Sequence, residues 1–206
     1  MFGGNSKNPA AILAAASGAI FALSAQAAPV QGPMESYRDW AIGCDNVGSC
    51  TAASLVPEDG SASGGPMTIY IARDAGAPAA PRIELLLPTD MQDTLDLLAD
   101  GVKFGTAQAT GNRASVAAGE SDAVIKGIVR GVTLTATAKG KTVGTASLAG
   151  ASAALRYMDA QQGRAGTVTG LVAKGTLRAN AAKEPGRLPL VYRLEPPQAG
   201  HAPAAL

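Results

Sequence analysis

The chain has 206 residues, with 17 lysine and arginine residues, 16 aspartate and glutamate residues and a formal net charge of +1 at pH 7. Charges of both signs are scattered without a basic block, and aromatic residues make up only 4% of the chain. This balance argues against nucleic acid or an anionic membrane surface as a partner, and against an aromatic platform for stacking bases or sugars.

The N-terminal segment, residues 1–27, has the three parts of a cleavable signal peptide. Lys7 is its positive residue, residues 10–24 are small and apolar, and Ala25-Gln26-Ala27 fits the cleavage rule. The alternative is an uncut membrane helix, although the apolar stretch is short for a span. We expect a periplasmic or secreted mature protein of about 180 residues with no later membrane span, which is enough for one domain.

The segment that follows holds the single tryptophan and both cysteines. Residues 37–43 alternate as in a half-buried strand, which places Trp40, Ile42 and Cys44 on one face. Asp45 and Asn46 then begin a turn, and residues 50–56 resume a strand. The pattern predicts a hairpin with Trp40 in the core; a ligand platform is the alternative for this ring.

Cys44 and Cys50 are predicted to form a disulfide, because two cysteines in an exported chain usually pair. A metal site is one alternative, but two thiols without a nearby histidine supply too few ligands. A redox pair is the other, although such pairs are usually spaced C-x-x-C rather than C-x5-C.

The middle of the chain predicts further strands. Residues 67–73 alternate, with Met67, Ile69, Ile71 and Arg73 on one side, and residues 82–87 form the next strand. Residues 94–106 read as a hairpin around Asp100-Gly101, whose first arm could be helical instead.

The last third of the mature chain predicts two short helices, at 120–129 and 151–162, the second ending at Gly163. Between them, residues 132–138 and 143–148 form a hairpin. Residues 167–174 are predicted as a final buried strand, and the proline-containing segment 181–206 as a disordered tail.

These elements indicate a mainly β protein: a single antiparallel β-sandwich-like domain with two short α-helices. The predicted boundaries are a signal peptide at 1–27, a linker at 28–35, the β-rich domain at 36–180 and the tail at 181–206.

Two separated segments carry a resemblance to one family. They are Asp39-Trp40-x3-Cys44-Asp45-Asn46-x3-Cys50-x-Ala52 and Ser147-Leu148-Ala149-Gly150-Ala151-Ser152-Ala153-Ala154-Leu155, continued by Met158-Asp159-x-Gln161-x-Gly163-Arg164-x-Gly166-Thr167. Together they resemble an exported bacterial family known as domain of unknown function 1176. The first segment is also distantly similar to the invasion-associated locus B proteins. The resemblance implies an exported β-rich domain and no established reaction.

Few side chains suit catalysis. The single histidine, His201, lies in the tail, which argues against a Ser-His-Asp or Cys-His system. Asp45 and Asp159 are the candidates for acid–base chemistry on an envelope glycan or peptide. The structural alternatives are a turn role for Asp45 and a salt-bridged helix end for Asp159.

The polar residues at the end of the second helix form the other candidate cluster. We expect Asp159 to pair with Arg164, since a carboxylate near a helix C-terminus needs a compensating cation, and Gln162 to bond nearby backbone. We predict a non-catalytic module of the bacterial envelope, with an unknown envelope protein or glycan as partner and no cofactor or metal. An envelope hydrolase using Asp45 or Asp159 is the alternative.

Overall fold

The computed structural model describes residues 31–56, 64–76 and 80–178. The predicted signal peptide at 1–27 and tail at 181–206 lie outside these residues. The strands are β1 Gln31–Tyr37, β2 Trp40–Asp45, β3 Cys50–Ser54, β4 Thr68–Arg73, β5 Arg82–Met91, β6 Thr94–Ala99, β7 Val102–Ser115, β8 Thr133–Ala138 and β9 Lys141–Ser147. The helices are α1 Ser121–Arg130, which follows a short 3-10 turn, and α2 Ala151–Gln161.

The strands form one antiparallel sheet in the order β1-β2-β3-β4-β5-β7-β6-β8-β9. Hairpins with short turns join four of the eight neighbouring strand pairs. For example, Asp100 and Gly101 both adopt positive φ between β6 and β7, as the Asp-Gly pair predicts. Just before β4, the backbone of residues 65–67 exchanges hydrogen bonds with Thr145 of β9, at 3.0 and 3.2 Å. The sheet is therefore strongly curved, so that β9 at one edge contacts the segment just before β4 near the centre.

Both helices cover the apolar inside of this sheet. α2 packs on β1, β2 and β3, α1 packs on β6 and β7, and the two helices contact each other. The buried stripe of α1 includes Val124, Ile125 and Ile128, as its sequence periodicity predicts. Gly127 of α1 lies directly against Phe104 of β7, so a side chain at that position would separate helix from sheet.

The prediction of a mainly β, antiparallel single domain with two short helices is confirmed. The strands expected from alternation at 67–73 and from the hairpins at 94–106 and 132–148 are present, and the first arm of the 94–106 hairpin is a strand rather than a helix. None of the helices in the described residues is long and apolar enough to cross a bilayer.

The start of the domain differs from its prediction. Residues 31–35 belong to β1, so the expected linker at 28–35 is wrong for them. The strand expected over 37–43 is instead divided by a two-residue turn, with Tyr37 paired to Trp40 and Arg38 at a φ of 53°. Arginine rarely adopts positive φ, so Arg38 gave no indication of a turn there.

The strand predicted at 167–174 is also wrong. Residues 162–178, here called the C-terminal loop, follow α2 as turns and bends, with isolated bridging between Thr167 and Leu177. The local pattern of Thr167, Val168 and Thr169 favours a strand. The backbone amides further along, at Leu171 and Val172, donate to a side-chain carboxylate instead of a neighbouring strand.

Candidate functional site

A buried ion pair lies where the C-terminal loop meets the sheet. Nη2 of Arg73, the last residue of β4, lies 2.7 Å from Oδ1 of Asp159 in α2, and the two side chains are 0% and 1% exposed. The guanidinium also donates from Nε to Oε1 of Gln162 at 2.6 Å and from Nη1 to the carbonyl of Thr169 at 3.1 Å. Such a set of partners compensates for removing both charges from water.

The Asp159 carboxylate also holds the C-terminal loop. The backbone N–H of Leu171 donates to its two oxygens at 3.0 and 2.8 Å, and that of Val172 donates to Oδ2 at 3.1 Å. Buried backbone donors outside regular structure need such partners. Asp159 therefore joins β4 to a segment that pairs with none of the strands β1 to β9.

Gln162 extends this cluster to the disulfide turn. Its Nε2 is 2.9 Å from the carbonyl oxygens of both Gly48 and Arg73, and 3.3 Å from that of Asp74. Its Oε1 accepts from Arg73, so both ends of the amide form hydrogen bonds, and Gln162 is only 2% exposed. Gln162 does bond backbone, but that backbone belongs to residues between 88 and 114 positions earlier in the chain rather than to the end of α2.

The predicted disulfide is present, joining Cys44 to Cys50 directly across β2 and β3. In the turn beyond it, Oδ1 of Asp45 accepts from the backbone N–H groups of Val47 and Ser49, at 3.0 and 2.8 Å. Asp45 thus has the turn-forming role that was one of its two readings. Asn46 is exposed beside it in the turn.

Replacing both Cys44 and Cys50 by alanine is expected to lower the free energy of unfolding by about 2–2.5 kcal/mol, because the closed ring is short. Urea denaturation of the oxidised protein and the double variant measures this difference. Wild-type protein treated with dithiothreitol should match the variant. An unchanged midpoint would mean that the hairpin and Gln162 hold the turn without the covalent bond.

The pairing predicted between Asp159 and Arg164 is wrong, since the partner of the carboxylate is Arg73. The backbone N–H of Arg164 donates to the carbonyl of Asp159 at 2.7 Å, while its guanidinium Nη2 donates to the carbonyl of Gly76. Arg73 could have been suspected, because it continues the buried side of the 67–73 alternation. Its partner lies 86 residues away, and no local pattern indicates such a distance.

Two arginines are consequently buried close to one carboxylate. Burial lowers the pKa of Arg73, and the hydrogen bond and charge of Asp159 oppose that shift. Burial also lowers the pKa of Arg164, with Asp159 again acting in the opposite direction. Both guanidinium groups stay protonated at neutral pH, as arginine does in proteins. Asp159 therefore supplies the compensating negative charge of this cluster.

Trp40 lies at the opposite end of β2 from the disulfide, about 13 Å along the strand from Cys44. It is buried, and its Nε1 donates to the carbonyl of Ser147 at 3.0 Å. Ser147 in turn donates from Oγ to Asp39 at 2.6 Å. Trp40 is therefore a core residue that ties the β1–β2 turn to the end of β9.

The structure thus brings together the two sequence segments that suggested a family. The first segment meets the second through Trp40 and Asp39 at Ser147, and again through Gly48 at Gln162. Trp40, Asp159, Gln162 and Arg164 are buried, whereas Asn46 is exposed. The arrangement is therefore a set of internal junctions rather than one open site.

Open clefts lie elsewhere on the described surface. One of about 400 Å³ is on the outer face of β3, β4, β5 and β7. It is lined by Thr51, Tyr70, Ala72, Arg82, Glu84 and Arg113. Its charged residues form exposed ion pairs, Arg82 with Asp74 at 2.7 Å and Arg113 with Glu84 at 3.1 Å. Within the described residues, no group of three or more His, Cys, Asp or Glu side chains is placed to hold a metal.

Comparison with known proteins places the chain in one family. Residues 34–205 match the model of the family described as "Protein of unknown function (DUF1176)". No curated protein and no solved structure matches the chain. The matched range contains both junction-forming segments and extends beyond the C-terminal loop. The chain therefore belongs to this family of unknown function.

Proposed function

We propose that this protein is a non-catalytic interaction module of the bacterial envelope, exported to the periplasm. One observation supports this most strongly: the carboxylate of Asp159 is 1% exposed and accepts from Arg73, Leu171 and Val172. A carboxylate engaged in this way serves the fold and is poorly placed to protonate a substrate. Asp45, the other catalytic candidate, is likewise engaged by backbone donors of its turn.

Two features support the periplasmic location. The first is the signal-like composition of residues 1–27, and the second is a formed disulfide, which persists in oxidising compartments. The distant similarity of the first segment to invasion-associated locus B proteins stays a prediction, and it is compatible with an exported protein.

Export is tested by fractionating bacteria that express the full chain. The periplasmic fraction should contain a protein that begins at Ala28 and whose intact mass shows two oxidised cysteines. Retention of residues 1–27 in the membrane fraction, or two alkylated thiols in the periplasmic protein, would contradict the proposed location.

The interaction role and the hydrolase alternative make opposite predictions. Purified protein should release no soluble fragments from peptidoglycan or casein. In a pull-down from an envelope extract, tagged protein should recover a near-stoichiometric envelope partner. Excess untagged protein should displace that partner. Asp45→Asn keeps the Oδ1 acceptor of the turn, so it removes the charge with little change in fold. Fragment release by the wild type that disappears in Asp45→Asn would replace this proposal with the hydrolase.

A further inference from the structure

A second cleft, of about 290 Å³, lies between α1 and the C-terminal loop. Its lining residues are Lys126, Val129 and Arg130 from α1, and Leu171, Val172 and Lys174 from the loop. The volume is near the lower end of the range for small-molecule sites, so a small ligand would fill it. We call it the basic cleft.

Three cationic residues from two elements line the basic cleft. Lys126 and Arg130 are four residues apart on α1, and Lys174 comes from the loop. Like charges at this helical spacing repel each other. Arg130 in the last turn is favoured by the helix dipole, but the dipole gives no reason for Lys174 to lie against the same cleft.

One carboxylate partly balances these charges. Asp122 accepts from Nζ of Lys174 at 3.0 Å, and the side chains of Lys174 and Asp122 are 43% and 65% exposed. Within residues 31–56, 64–76 and 80–178, neither Lys126 nor Arg130 forms an ion pair. An anion placed between the three cations would relieve their repulsion, since all three residues line one cleft.

The rest of the lining is apolar. Leu171 is buried, and Val129 and Val172 are half-buried and pack against the core. A ligand that carries a hydrocarbon group beside its negative charge would therefore remove apolar surface of both molecules from water. Inorganic anions would gain the charge contact alone.

The loop wall of the cleft is fixed from behind. The backbone amides of Leu171 and Val172 both donate to Asp159, which is paired with buried Arg73. The wall is thus ordered before a ligand arrives, which reduces the entropy lost on binding. The buried ion pair between Arg73 and Asp159 therefore helps to fix one wall of a surface cleft.

We propose that the basic cleft binds a small amphiphilic anion, a carboxylate or phosphate group carried on a short hydrocarbon chain. The anionic group lies among Lys126, Arg130 and Lys174, and the chain lies over the apolar lining. This site is separate from the interaction role proposed above, and a failure of either leaves the other standing.

Isothermal titration calorimetry of the full mature chain with octanoate tests the proposal. Octanoate should bind about tenfold or more tightly than acetate, because burial of two methylene groups is enough for that difference. Octyl phosphate distinguishes a phosphate from a carboxylate preference, and 1-octanol, which has no charge, should bind weakly. Equal affinity for acetate and octanoate, or binding of anionic vesicles without binding of either free octyl anion, would overturn the proposal.

Variants locate the binding. The double substitution Lys126→Gln and Arg130→Gln should weaken octanoate binding at least about tenfold, through loss of two charge contacts. Lys141→Gln with Arg156→Gln is the control, since it makes the same change in net charge at exposed residues that do not line the cleft. Equal weakening in both double variants would show a general charge effect and contradict the site.

Two further variants separate charge from apolar contact. Asp122→Asn releases Lys174 from its ion pair, so octanoate should bind more tightly, a gain that misfolding cannot imitate. Val172→Thr exchanges a methyl group for a hydroxyl of similar size and should weaken octanoate binding by about fourfold while leaving inorganic phosphate unaffected. Weaker binding in Asp122→Asn, or equal loss for both ligands in Val172→Thr, would refute the proposed geometry.

Discussion

Substituting Asp159 by asparagine is expected to lower the free energy of unfolding by about 3–5 kcal/mol, because it leaves Arg73 buried as a cation without its carboxylate. Asparagine has nearly the same shape and keeps one oxygen for the amides of Leu171 and Val172, so the loss reports the charge together with the hydrogen bond from Arg73. Urea denaturation followed by circular dichroism measures it. Asp159 is 1% exposed, which leaves solvent little opportunity to compensate.

Asp74→Asn is the matched control, since it removes the carboxylate of the exposed pair with Arg82. That change should cost no more than about 1 kcal/mol, as is typical of surface ion pairs. Similar losses in the two variants would show that the buried charge of Asp159 contributes no special stability.

The coupling between the two buried charges can be measured separately. Arg73→Met removes the cation and retains a long apolar side chain, so the double variant with Asp159→Asn contains neither charge. We expect the double variant to lose about 0.5–3 kcal/mol less free energy of unfolding than the two single variants lose together. Additive effects would mean that Arg73 and Asp159 act independently despite their contact.

Gly150→Ala is expected to have an effect of similar size, about 3–5 kcal/mol. Gly150 precedes α2 at a φ of +100°, and an added Cβ would overlap the carbonyl oxygen of Tyr37. Two costs therefore add, the backbone conformation and the displacement of β1 from α2. Differential scanning calorimetry should show a melting temperature many degrees below that of the wild type.

Gly140→Ala separates these two costs. Gly140 has a φ of +77°, but a Cβ there would meet no atom within 4 Å. The control should therefore lose only the conformational part, about 1–2 kcal/mol. Equal melting temperatures of the two alanine variants would mean that the close contact between Gly150 and Tyr37 adds no cost to the backbone conformation.

Local sequence patterns predicted most of the strands and both helices. Alternation placed Arg73 on the same side as Ile69 and Ile71, and all three are buried. The identity of its partner could not be predicted, because Asp159 and Gln162 reach it only through the closed fold. A sequence records which face a residue occupies more clearly than which distant element meets that face.

The failures have physical causes of the same kind. Residues 167–174 look like a strand, but a carboxylate from α2 takes the place of a neighbouring strand for Leu171 and Val172. The turn after β1 lacks glycine or asparagine, and Arg38 adopts its positive φ within a hairpin whose next residue, Asp39, is held by Ala149 and Ser147. In both places tertiary contacts outweigh local preference.

The long-range pairing of Arg73 has a consequence for the order of folding. Proteins are synthesised from the N-terminus, and β4 is complete before its partners Asp159 and Gln162 exist, since these lie 86 and 89 residues beyond Arg73. Until then, Arg73 at the end of β4 lacks the carboxylate that compensates for burying its charge. Contacts of such sequence separation raise contact order and slow folding. We therefore expect Arg73 to become stably buried only once α2 is present, and a chain cut short before that helix lacks the carboxylate that pairs with it.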